Sequence, residues 1–160
     1  MIKRFFQFVG LAFVAIVILV LVKTFTSSSI QPQGEAMTPI HLDVEKAAQN
    51  LGKAIQYRTI SDSAYYQEVA FTSFQSFLKE SYPQVFGNFE MVEIGNHSLI
   101  LKWQGNNQKL KPVLFLGHQD VVPVEEVSRD LWQEDPFKGV IKDGFIWGRG
   151  AIDDKSTIIG

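Results

Sequence analysis

The chain opens on a block with no polar periodicity. Phe5 to Val22 is an eighteen-residue run without a charge, interrupted only by Gln7 and Gly10. As a helix it is about 27 Å long, close to the hydrocarbon thickness of a bilayer. No polar stripe breaks its circumference, which excludes a surface helix. Two readings fit: an uncleaved signal anchor over residues 5–22, or a signal peptide whose apolar region is Leu11 to Val22. Lys23 follows at once and no Ala-x-Ala-like site appears, although Thr26 to Ser29 are small. The anchor is therefore favoured, with secretion after cleavage as the alternative. Lys3 and Arg4 outweigh Lys23. The positive-inside rule thus leaves residues 1–4 as a cytoplasmic tail and exports the remainder.

Beyond the apolar block the pattern changes. Residues 23–39, with a serine triplet (Ser27, Ser28, Ser29), Pro32 and Gly34, carry no apolar period and predict a flexible linker. Thr38-Pro39 resembles an N-cap with proline in the first turn. Ile40, Val44, Ala47, Leu51 and Ala54 then recur at helical spacing. A second helix is predicted from about Ser61–Ser63 to just before Pro83, with Ala70, Phe74, Phe77 and Leu78 on its core face. Phe89–Ile94 and Ser98–Trp103 predict a hairpin around Gly95-Asn96, and Val140–Lys142 with Phe145–Trp147 a second around Asp143-Gly144. Between them, Pro112–Leu116 is a continuous apolar run, as in a strand buried on both faces. Helices preceding a mixed set of strands predict an α/β sandwich.

Composition narrows the function classes. The 160 residues carry a formal charge of −2, with 46% hydrophobic residues and no cysteine. Disulfide frameworks and thiolate metal sites are excluded. No basic excess marks a nucleic-acid footprint, so no nucleic-acid partner is expected. The apolar content is too high for a disordered chain.

Two stretches carry candidate chemistry. Gly117 to Pro123, GHQDVVP, follows the predicted buried strand, and ligand sites in α/β sheets gather at the carboxyl ends of strands. His118 and Asp120 share a side if the backbone stays extended. An imidazole that binds metal needs a partner on its other nitrogen, and a carboxylate is the usual one. A buried histidine satisfied by a nearby aspartate fits the tripeptide equally well. Trp147 to Ser156, WGRGAIDDKS, places Asp153 and Asp154 side by side. Adjacent like charges are unfavourable unless a cation compensates them, or unless the loop is solvated and caps the next helix.

Together the two stretches resemble the dinuclear zinc metallopeptidases that include carboxypeptidase S, aminoacylase, glutamate carboxypeptidase and succinyl-diaminopimelate desuccinylase. GHQDVVP is similar to the family's His-x-Asp-x-Val-Pro motif and GRGAIDDK to its Gly-Arg-Gly-x-x-Asp-Asp/Met-Lys motif. Trp132, Pro136-Phe137 and Asp143-Gly144 resemble the carboxypeptidase S branch, which contains secreted N-acyl amino acid hydrolases. The likeness runs from about Leu42 to Gly160, with Ser156 standing where many relatives have glycine.

The resemblance implies that residues 40–160 are the N-terminal part of an α/β/α sandwich catalytic domain with a mixed sheet, preceded by one transmembrane helix. It implies that His118 binds one metal, that Asp120 orients His118, and that Asp153 bridges two zinc ions. Asp154 follows across a cis peptide bond; Arg149 and Lys155 receive no catalytic role. Nitrogen and oxygen donors without thiolate also admit cobalt or manganese. The implied activity is amide hydrolysis of a peptide or N-acyl amino acid by a metal-activated water, in a protein held to the bilayer through residues 5–22. Zinc sites take at least three protein ligands. His41, beside the linker, reads as solvated, His97 as structural or exposed, and Glu134 and Asp135 as a solvent-facing loop. The family's remaining ligands and general base lie beyond the second motif, so the chain is expected to be an amino-terminal piece, inactive by itself. A non-catalytic binding module on the same fold is the alternative.

Overall fold

The computed structural model describes residues 2–29, 34 and 38–160, and the chain divides into two units, Met1–Ile40 and His41–Gly160. The first contains α1, Ile2–Thr26, with no buried residue. It is long and apolar enough to cross a membrane, a test that a signal sequence also passes. The helix outruns the predicted span at both ends, so residues 23–26 of the expected linker are helical. Ser27–Ser29, Gly34, Thr38 and Pro39 have no regular structure, and the rest of the linker lies outside the described residues.

In the second unit α2 is Val44–Ile55, and it begins later than Thr38-Pro39 suggests. Asp43 is the cap: its carboxylate accepts the Lys46 backbone N–H at 3.0 Å. Only the last two of the periodic apolar positions face the core, Ala54 buried and Leu51 packed against it; Val44 and Ala47 are exposed and Ile40 precedes the helix, while Ile55, outside that period, is buried. Gly52 lies so close to Gly139, before β3, that a Cβ on Gly52 would stand 2.8 Å from the Gly139 carbonyl oxygen.

The next helix, α3, is Glu68–Ser81, not a helix from Ser61–Ser63. Asp62 accepts the Ala64 N–H at 2.8 Å in a turn, and no regular structure follows until Glu68. Phe74, Phe77 and Leu78 form the core with Ala54 and Ile159, and Tyr57 stacks on Phe77 at 5.4 Å. Pro83 opens a further short helix, α4 (Pro83–Asn88), at the position where proline loses no helical bond.

Strands β1 (Glu90–Ile94) and β2 (Ser98–Lys102) pair antiparallel with Ile94 opposite Ser98, so Gly95-Asn96-His97 forms a three-residue loop in place of the expected two-residue turn. After a 3₁₀ turn at Glu126–Leu131, β3 (Val140–Lys142) and β4 (Phe145–Trp147) pair around Asp143-Gly144 as predicted. Both turn residues have positive φ, 54° and 79°, the twist that matches a tight hairpin. The chain ends in α5, Lys155–Ile159.

The described residues are thus α/β, helices with two separate two-stranded sheets, and no mixed sheet forms among them. The buried strand expected at Pro112–Leu116 is also missing. Strands exist by backbone pairing, and each hairpin pairs only its own two strands. No backbone bond among the described residues reaches Pro112–Leu116. Val113, Leu114, Phe115 and Leu116 are each at least 77% exposed.

Candidate metal centre

The first motif is held by a short strip from a distant part of the chain. Ile60 and Val121 form an isolated parallel bridge, and Val121 N–H donates to the Thr59 carbonyl at 2.9 Å. Fully buried Thr59 donates its hydroxyl to the Gln119 carbonyl at 2.6 Å. The Gln119 side chain donates to the His97 carbonyl, which also accepts Gln75 Nε2 at 2.8 Å. His118 and Asp120 stand on either side of this pinned glutamine.

The second motif turns on Gly150, whose φ of +88° and closeness to Val121 leave no room for a side chain. Arg149 N–H donates to the Pro136 carbonyl at 2.7 Å, and its guanidinium lies 5.1 Å from the Trp132 ring. Lys155 is fully buried and reaches back to α2, donating to the carbonyls of Ala54 at 2.8 Å and Tyr57 at 2.6 Å. Burial lowers its pKa to about 7. With Lys155 anchored, Asp153 and Asp154 face the first motif, joined by a cis peptide bond.

Two contacts then join the motifs. His118 backbone N–H donates to Asp154 Oδ2 at 3.2 Å, and Thr157 donates its hydroxyl to the other oxygen of that carboxylate. The Thr157 hydroxyl first, and the His118 amide after it, hold Asp154 below the usual carboxylate range. The imidazole makes the second contact: His118 Nε2 lies 2.8 Å from Asp153 Oδ1.

The other imidazole nitrogen decides what this contact means. His118 Nδ1 faces two acceptors, the Asp120 carbonyl at 2.9 Å and Asp120 Oδ1 at 3.1 Å. Its partners therefore assign the proton to Nδ1 and a lone pair to Nε2. Two lone pairs facing each other at 2.8 Å repel unless a positive species sits between them. A proton satisfies the pair, and the Asp153 carboxylate accordingly raises the His118 pKa above its ordinary value. A metal ion satisfies it as well. Tetrahedral zinc, with bonds of about 2.0–2.1 Å, separates adjacent donor atoms by about 3.3 Å, so opening the pair by roughly half an ångström suffices. The donor types and their aim fit one edge of a zinc site.

They do not complete it. Among the described residues no group of three His, Cys, Asp or Glu side chains is arranged to hold a metal. The other residues weighed from the sequence lie elsewhere. His97 stacks on Phe71 at 5.0 Å and meets the Tyr66 hydroxyl at 2.9 Å; Glu134 pairs with Lys142 at 2.7 Å. Asp135 accepts the Phe137 N–H at 2.9 Å, and His41 is exposed. A cleft of about 400 Å³ opens on the site, with His118, Asp120, Trp132, Trp147, Arg149 and Asp153 in its wall.

This geometry coincides with a family match. The profile of Peptidase family M20/M25/M40 matches residues 114–160, which hold both motifs. "Probable carboxypeptidase S-like 2" of Dictyostelium discoideum is 36% identical over 156 residues, covering 91% of this chain and 30% of its own length. The chain belongs to the carboxypeptidase S-like branch of peptidase family M20. Two other relatives in this M20 branch extend the comparison. "N-fatty-acyl-amino acid synthase/hydrolase PM20D1" of Xenopus tropicalis is 37% identical over 67% of this chain and 21% of its own. "Carboxypeptidase S" of Saccharomyces cerevisiae is 31% identical over 56% and 16%. The chain thus spans less than a third of the length of the curated relatives it matches. No solved structure matches it.

Sequence reasoning left three contributors to this M20 site without a role. Ser61 donates its hydroxyl to Asp120 Oδ2 at 2.6 Å from 59 positions away, and no local pattern announces it. Asp154 binds the His118 amide, and Lys155 ties the second motif to α2. The lysine gave no local signal either, since its two acceptors lie about a hundred positions earlier in the chain.

Proposed function

We propose that the full-length protein is a membrane-anchored zinc metallohydrolase of carboxypeptidase or N-acyl amino acid hydrolase type. The observation that carries this is the opposed pair of acceptors, His118 Nε2 and Asp153 Oδ1, with His118 Nδ1 held by Asp120. The names of the relatives, a carboxypeptidase and an N-fatty-acyl-amino acid synthase/hydrolase, agree with the substrate class.

In this reading His118 Nε2 and the Asp153 carboxylate would hold the zinc, with Asp153 shared between two ions, and Asp120 would act through the imidazole as its orienting partner. Zinc bound there supplies an acidified water and polarises the scissile carbonyl. Asp120 keeps the proton on Nδ1, so the Nε2 lone pair stays available and fixed in direction. Asp153 contributes negative charge where the cations repel each other. The general base and the remaining ligands are assigned to the greater length that the relatives possess; residues 41–160, with two donors, are inactive by themselves. The same reading places them in an α/β/α sandwich catalytic domain. The anchor is α1, with Lys3 and Arg4 on the cytoplasmic side and the catalytic part exported.

The test is release of a free amino acid from a panel of dipeptides and N-acyl amino acids by the purified full-length protein. Release that stops on chelation and returns with zinc supports the reading. No turnover of any substrate in the panel overturns it in favour of a binding module.

A further inference from the structure

We propose that Ser61 is a positioning residue of this centre, setting the direction of the His118 imidazole through Asp120. The inference rests on the metal reading above and adds a residue to it.

Asp120 has two carboxylate oxygens, and each has one side-chain partner. Oδ1 faces His118 Nδ1 at 3.1 Å, and Oδ2 accepts the Ser61 hydroxyl at 2.6 Å. A carboxylate held at one oxygen still swings about a broad terminal torsion. Held at both, its plane is fixed, and so is the plane of the imidazole that donates to it. The direction of the Nε2 lone pair follows from that plane, and it decides whether His118 and Asp153 aim at the same point.

The backbone around Ser61 makes this hold deliberate. Thr59 hydroxyl to Gln119 carbonyl, Val121 N–H to Thr59 carbonyl, and the Ile60–Val121 bridge set residues 59–61 beside 120–122 in one register. Thr59 and Ser61 flank Ile60, the residue bridged to Val121. Thr59 grips the main chain one residue before Asp120, and Ser61 grips its side chain. Ser61 itself is exposed and packs no core, so its hydroxyl can be removed with little disturbance to folding.

The experiment measures zinc affinity of the metal-free full-length protein by competition with a chelating dye, for wild type, Ser61→Ala and Ser61→Thr. Partners in the outer shell of a metal site are worth about 10–100-fold in affinity, and the loss from Ser61→Ala is expected near the low end, about tenfold. Ser61→Thr keeps the hydroxyl and restores tight binding. Thermal unfolding of the metal-free variants stays at the wild-type temperature. Ser61→Ala binding zinc as tightly as wild type overturns the proposal. The companion readout needs no metal. In the metal-free protein the nitrogen NMR signals of the His118 ring shift or broaden in Ser61→Ala, and unchanged signals overturn the positioning role. A wild-type protein that takes up no zinc overturns the metal reading instead, while the ring signals still report on Ser61.

Discussion

His118 Nε2 and Asp153 Oδ1 stand 2.8 Å apart although 35 positions separate the residues in the chain. Neither atom brings its own proton to the contact once Nδ1 has donated to Asp120. The contact is therefore a gap for a cation, and the elevated proton affinity of His118 and its suitability for zinc have the same physical origin.

Asp120 holds that gap open from behind. Asp120→Ala in the full-length protein removes one acceptor from Nδ1, while the Asp120 backbone carbonyl at 2.9 Å remains. Because half of the hold survives, zinc affinity is expected to fall by about tenfold, the low end for an outer-shell partner. Chelator competition measures it. A loss beyond about a hundredfold would instead make Asp120 a direct ligand.

Lys155 is a structural tie. Lys155→Met keeps most of the volume against Phe74 but removes one donor from each of the Ala54 and Tyr57 carbonyls, which keep the backbone N–H of Tyr57 and of Thr59. The expected loss is about 1–2 kcal/mol, from two buried hydrogen bonds removed while no acceptor is left unpaired. Urea unfolding of the metal-free full-length protein reads it, and an unchanged midpoint contradicts the tie.

The same lysine gives stability a pH dependence. Its pKa falls to about 7 in the folded protein, from 10.5 in the open chain. Between those values the unfolded chain binds a proton that the folded one lacks, so raising the pH favours folding. The effect reaches at most about 1.4 kcal/mol per pH unit for one proton. The partners of the ammonium are two carbonyls and the Phe74 ring. The stability of wild type minus that of Lys155→Met is therefore expected to grow from pH 7 towards pH 10. A flat difference means that the carbonyls keep the ammonium charged.

The first helix is tested by extraction. With α1 present, the full-length protein is expected to stay with membranes through alkaline carbonate washing, and removal of residues 2–26 releases it. Release of the intact protein by carbonate contradicts the anchor.

What the sequence could disclose follows from the range of each interaction. The Asp143-Gly144 hairpin was legible because its turn chemistry is local, and α2 and the Phe74–Phe77–Leu78 face because their period is. Asp43 took the cap from Thr38, because a single side-chain oxygen decides such a boundary. Pro112–Leu116 misled for a different reason: its composition is that of a buried strand, but pairing depends on neighbours that its own residues do not encode. At the site, His118, Asp120 and Asp153 could be named from two motifs. Ser61 could not, since its bond to Asp120 exists only after the chain has closed.

The central claim is that His118 and Asp153 grip the same ions. Zinc titration calorimetry on metal-free full-length wild type and Asp153→Ala tests it most directly. The account predicts two ions bound per wild-type chain, and loss of tight binding for both in the variant, since a bridging carboxylate serves each. Equal stoichiometry and affinity in the two proteins would contradict it.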